Sequence, residues 1–300
     1  MQVPGPVITG RANRRHRLSI QGCDPTDPQF LYSGLLFLTG AFVGLASGFF
    51  GVGGGFLMVP VQYWALGLFG VDPETALRTA FGTSLAVVLP TAASGTWAHH
   101  RRSAIRWDAV YWMAPSAATF SFIGGMISTR LPARPLELLL GVVLIALAFR
   151  LARRPDCSRD TPPIELSHPQ YLLLGVPIGL LSGMLGIGGG VVLVPVLLLL
   201  LHYSVHAAVG TSMPIILSAA VGGVTSYALS VPPGGPTLAL SVGYVHVAGF
   251  LALAASSIPM AQVGARFAHA CSPRPLQMAF AGIMLIFGLM MINVPELIGA

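Results

Sequence analysis

GLASGFFGVGGGFLMVP, residues 44–60, returns as GLLSGMLGIGGGVVLVP at 179–195, a shift of 135 positions. Within 48–60, seven of thirteen positions are identical: Gly48, Gly51, Gly53, Gly54, Gly55, Val59 and Pro60. Glycine weakens a helix interior by about 1 kcal/mol relative to alanine. Each copy nevertheless sets three consecutive glycines inside an otherwise apolar stretch. As one helix, residues 171–203 would run about 50 Å, well beyond a hydrocarbon core of about 30 Å. The segment must break, and the glycines mark the place. A break at membrane depth frees N–H and C=O groups that lipid cannot satisfy, so it must be buried in protein or face a cavity. The helix resuming at Phe56 or Val191 then points unpaired N–H groups and a partial positive charge into that space. Such an end can hold an anion without a lysine.

Composition sets the class. Of 300 residues, 54% are hydrophobic and 9% charged, where a soluble domain carries about 25% charge. No Asp, Glu, Lys or Arg occurs between Glu165 and Arg266. The chain reads as an all-α polytopic integral membrane protein of the inner or plasma membrane, with the lipid bilayer as a partner. Its apolar runs at 56–69 and 191–203 are short, and each follows a glycine cluster.

The repeat extends beyond the glycines. AFGTSL at 80–85 returns as AVGTSM at 208–213, and ARPLEL at 133–138 is echoed by PRPLQM at 273–278. The order is kept, which predicts two homologous halves from an internal duplication. Each half has a Gly-broken or re-entrant helix followed by about three transmembrane helices. The expected organisation is a disordered cytoplasmic tail (1–30), a first repeat (31–152), a linker (153–170) and a second repeat (171–300). The repeat argues against reading 31–48 as a cleaved signal peptide, because cleavage near residue 48 would remove the first copy's leading helix. A duplicated, glycine-interrupted segment is a pointer to a transporter's binding site.

The paired GxxSGxxGxGGGxxxVP and GTS elements resemble the sulfite exporter TauE/SafE family over roughly residues 34–294. The resemblance implies a permease for anions, chiefly sulfite and organosulfur acids such as sulfonates. The residues fit an oxyanion independently. Ser47 and Ser182 precede the clusters Gly53, Gly54, Gly55 and Gly188, Gly189, Gly190, while Thr83, Ser84, Thr211 and Ser212 lie in the next apolar run. Hydroxyls and amides donate to an anion yet stay neutral when the site is empty. Two blander roles compete. Small residues let membrane helices pack closely, and a membrane Ser or Thr often bonds its own helix's carbonyl.

Other chemistry is thinly represented. Cys23, Cys157 and Cys271 are far apart and form no CxxC pair, so neither a disulfide framework nor a metal site is expected. His202 and His206, at i,i+4 spacing, lack nearby Cys, Asp or Glu ligands. No cofactor is expected, no nucleic acid, and a homo-oligomer is possible. Trp64, Trp97, Trp107 and Trp112, with Tyr244 and His246, read as interfacial anchors. Asp72, Glu74, Asp108, Glu137 and Glu296 fall at the ends of runs. Without a midplane carboxylate to carry protons or sodium, movement down the anion's gradient or the membrane potential is expected.

All sixteen cations are arginines. They read as loop charges that set orientation, with the N-terminus inside. Four crossings per half divide them eleven to five, whereas re-entrant hairpins and inverted halves divide them nine to seven. The functional expectation is a secondary transporter or facilitator that exports sulfite, thiosulfate or an organosulfonate. The alternatives are an intramembrane enzyme, for which no GxSxG or HExxH motif is present, and a non-transporting membrane subunit.

Overall fold

The computed structural model describes residues 28–50, 54–153, 164–232, 240–267 and 274–297. The tail, Gly51–Gly53, most of the linker and all three cysteines lie outside the described residues. The first half contains α1 (Pro28–Phe50), α2 (Gly55–Leu68), α3 (Pro73–His100), α4 (Trp107–Ser128) and α5 (Ala133–Ala152). The second contains α6 (His168–Leu185), α7 (Gly190–Leu199), α8 (Val205–Leu229), α9 (Val247–Phe267) and α10 (Arg274–Leu297). A small antiparallel hairpin, β1 (Ser241–Val242) and β2 (Val245–His246), precedes α9.

Helix starts follow local chemistry. Asp72 accepts the Thr75 amide at 3.3 Å, with Pro73 opening α3. Ser204 accepts the Ala207 amide at 3.3 Å to open α8. Ser167 and Gln170 form a capping box at α6. Pro73–His100, His206–Leu229 and Val247–Gly264 are long and apolar enough to cross a bilayer. Large apolar side chains such as Leu38, Tyr111 and Leu173 are exposed on the outer helices, as a lipid solvent allows.

The helices run in a definite sense. In the central pair, Gly95 of α3 meets Met213 of α8 and Gly82 meets Tyr227, so numbers fall on one helix as they rise on the other. The pair is antiparallel. So are α5 and α10, where Arg134 bonds the Ile292 carbonyl at 2.8 Å and Gly141 packs on Gly288. By contrast α1 runs parallel to α9 (Gly40 against Leu253, Gly44 against Ser257). In the same way α6 runs parallel to α4 (Gly175 against Met113, Gly179 against Ala117). Each half therefore lends its first helix to the fourth helix of the other.

Glycine-separated arms return to the end they came from. Tyr203, four residues past the end of α7, bonds Tyr171 of α6 at 3.1 Å, and Ile164 donates to the Leu201 carbonyl at 2.9 Å. The α6–α7 unit is a hairpin. It opens at the end where Trp112 stacks on His168 and Arg106 pairs with Glu165 at 3.1 Å. The α1–α2 unit opens at the opposite end, where Leu36 packs on Gly249 and Tyr63 of α2 reaches Glu137 in the first turn of α5. The two hairpins thus open at opposite ends of the helix bundle.

Candidate functional site

The two hairpin tips meet. A Cβ on Gly55 would lie 2.7 Å from the Ile187 carbonyl oxygen and 3.1 Å from that of Gly186, so only hydrogen fits there. Gly186 lies on Phe81 of α3, and Gly188 lies between Val88 of α3 and Ile216 of α8. The second tip is thus enclosed by the first tip and the central antiparallel pair.

The breaks have one geometry. Gly54 caps α2 with φ 76° and ψ −12°, and Gly189 caps α7 with φ 74° and ψ −13°. This left-handed conformation is open to glycine and strained for residues with a Cβ. Gly54 packs against Val43 and Ser47, and Gly189 against Ile178 and Ser182. These are the same neighbours displaced by 135 positions. The first helical bonds to the caps come from Leu57 in α2 and Val192 in α7. The amides of Gly55, Phe56, Gly190 and Val191 come before them and are the donors a ligand would meet. Among the described residues the buried charged side chains are Arg78 and Glu137. Both sit near the outer ends of their helices, so positive potential at the tips comes from helix N-termini.

All the described hydroxyls singled out in the sequence are buried, but they face different neighbours. Ser47 and Ser182 flank the caps, and the fully buried Ser182 hydroxyl has no partner among the described residues. The Ser84 hydroxyl accepts the Gln62 amide at 2.8 Å. Ser212 instead donates to its own helix, to the Val209 carbonyl at 2.8 Å. Thr83 accepts the His246 backbone N–H and Thr211 accepts that of Arg106, each at 3.0 Å. The threonines thereby hold the start of the other half's fourth helix. Gly53 lies outside the described residues.

Several expectations change. Tyr244 and His246 are buried rather than interfacial, because the hairpin before α9 tucks them against α3. His202 is not on a helix with His206: it has φ 53° and precedes α8. Glu137 stands at the start of an apolar run, yet it is only 4% exposed because α2 folds back over it. Gln62 and Tyr63 were passed over in the sequence. Their signal was the failure of the repeat: 135 positions on stand Leu197 and Leu198.

Apolar helices of spanning length, paired hairpins from opposite ends and facing helix N-termini define an integral membrane transporter. The chain belongs to the sulfite exporter TauE/SafE family, whose model matches residues 36–291. A probable membrane transporter protein of Methanocaldococcus jannaschii is 30% identical over 259 residues, covering 86% of this chain and 94% of that protein. One from Haemophilus influenzae is 27% identical over 263 residues, 87% of this chain and 98% of the relative. Another, YdhB of Bacillus subtilis, is 28% identical over 264 residues, 84% and 100% of the two chains. No solved structure matches the chain.

Proposed function

We propose that this protein is a secondary transporter or facilitator for a small sulfur-containing anion (sulfite, thiosulfate or an organosulfonate), bound where the two hairpin tips meet. Export is the expected physiological direction. The carrying observation is the contact of Gly55 with the Gly186–Ile187 backbone, which brings the two helix N-termini to one place. Amides at α2 and α7 donate to the anion, with Ser47, Ser182 and Ser84 beside them, while Thr83, Thr211 and Ser212 frame the helices that carry them. Donors of this kind bind an oxyanion through charge-assisted hydrogen bonds without a permanent cation that would trap it.

The reading places α3, α4, α5, α8, α9 and α10 across the bilayer and the two hairpins as re-entrant arms from opposite faces. Irregular backbone at the tips is then buried in protein, as lipid requires. The repeated cap geometry and the exchanged contacts support an internal duplication with inverted halves, a common transporter plan. The test is exchange flux in proteoliposomes with sulfite, thiosulfate, methanesulfonate and chloride. Saturable exchange of a sulfur anion is expected, and equal rates for all four, or none, would overturn the reading.

A further inference from the structure

The first hairpin carries a buried acid that its counterpart lacks. Tyr63 of α2 donates to Glu137 Oε1 at 2.5 Å, while Arg134 Nη1 stands 3.5 Å from Oε2. The guanidinium is divided, because its Nη2 bonds the Ile292 carbonyl of α10 at 2.8 Å. A carboxylate offers about four lone-pair sites, and among the described residues this one has two side-chain donors, the close Tyr63 phenol and the longer Arg134 ion pair. Arg134 is 44% exposed on its side chain while Glu137 is 5%, so the acid lies one side chain from water. Near the phenol the other described charge is Asp72 at the α2–α3 turn. Arg78 of α3 is engaged with Glu74, Leu131 and Tyr244. In the second half the matching positions hold Leu198 and Gln277, neither of which can take a proton.

We infer that Glu137 carries a proton coupled to anion movement, and that Tyr63 transmits its charge state to the arm that ends at the anion site. This rests on the proposed transport function and replaces the uncoupled movement expected from the sequence. A proton from water adds to a carboxylate oxygen, so that –COO⁻ becomes –COOH. The bond from Tyr63 then changes from charge-assisted to neutral, roughly halving its strength. Tyr63 lies eight residues beyond Gly55 on α2, about 12 Å at 1.5 Å per residue. Loosening that anchor frees the arm whose first amides meet the anion. One proton with one monoanion leaves no net charge to move, so export runs on the anion's own outward gradient and is opposed by an inward proton gradient.

The test uses the full chain in proteoliposomes with labelled methanesulfonate, a permanent monoanion, and the voltage clamped at zero. Wild type should exchange methanesulfonate without a gradient. With acid outside it should accumulate the label, up to about tenfold per pH unit for one-to-one coupling. Glu137→Gln and Tyr63→Phe should change the rate of exchange without abolishing it, and should accumulate nothing. Accumulation by Glu137→Gln, or exchange without accumulation by wild type, overturns the coupling. Absence of exchange in every form strikes instead at the transporter reading. Infrared titration of the purified protein then decides Glu137 separately. A protonated-carboxyl band should appear on acidification in wild type and Tyr63→Phe but not in Glu137→Gln. An identical band in Glu137→Gln would overturn the assignment.

Discussion

The Thr83 hydroxyl accepts the backbone N–H of His246 at 3.0 Å, joining α3 of one half to the start of α9 in the other. Thr211 does the same for Arg106 at the start of α4, at the opposite end of the bundle. Just before each threonine, Gly82 lies against the Tyr244 carbonyl and Gly210 against that of Ala104. The GTS element is thus a docking clamp. Its glycine admits the incoming backbone, and its threonine satisfies an amide that the helix start leaves without a partner. Thr83→Val and Thr211→Val should each lower stability by about 1 kcal/mol, the usual cost of a lost cap. The losses should add, because the clamps share no partner. Thermal unfolding in detergent measures this, with Thr→Ser expected to recover most of the loss.

Gly55 gives a sharper test of the site. An alanine there would press its Cβ into the Ile187 carbonyl at 2.7 Å and drive the tips apart. Gly34, by contrast, has nothing within 4 Å of a Cβ. Gly55→Ala should abolish anion exchange, whereas Gly34→Ala should leave it near wild type. Flux normalised to folded protein in the membrane is the measurement, and equal losses would reduce Gly55 to a packing role.

Ser84 and Gln62 form one unit. Because the Gln62 amide occupies an acceptor site on Ser84, the serine proton is left to donate elsewhere. Ser84→Ala and Gln62→Leu should each weaken anion binding by about 1 kcal/mol, near fivefold. The double variant should be no worse than either single one. Ligand-dependent thermal shifts would read the coupling, and fully additive losses would separate the two residues.

Topology separates the inverted arrangement from four crossings per half. With the native cysteines replaced by serine, single cysteines at Arg153 and His202 should label from the same side of the membrane, because α6 and α7 share an end. Cysteines at Gly70 and Ser103 should label from opposite sides, since α3 lies between them. An impermeant thiol reagent on oriented vesicles distinguishes the outcomes.

Much of this was legible in residues alone. Three glycines followed five residues later by a proline located both breaks, and the caps fall at Gly54 and Gly189 within them. Hydropathy could not tell a returning arm from a short crossing, because both are apolar runs of the same length. The sense of α7 is set by the tyrosine pair at its base, and that contact joins residues 32 positions apart. The burial of Glu137 was hidden for a related reason. Its place at one end of a run says nothing of burial, which depends on Tyr63, 74 positions earlier. The threonines looked like ligand donors because their motif repeats, yet a clamp needed by both halves repeats just as faithfully.

The antiparallel crossing of α3 and α8 has a further consequence. On the proposed transport function, hairpins that enter from opposite ends with exchanged neighbours imply that a movement uncovering the tips toward one compartment has a counterpart, with the halves' roles swapped, toward the other. Inward- and outward-facing forms would then be two castings of one shape, and neither would need a fold of its own. On the proposed transport function, the Tyr63–Glu137 pair, absent at the matching positions Leu198 and Gln277, would make the two castings unequal in energy.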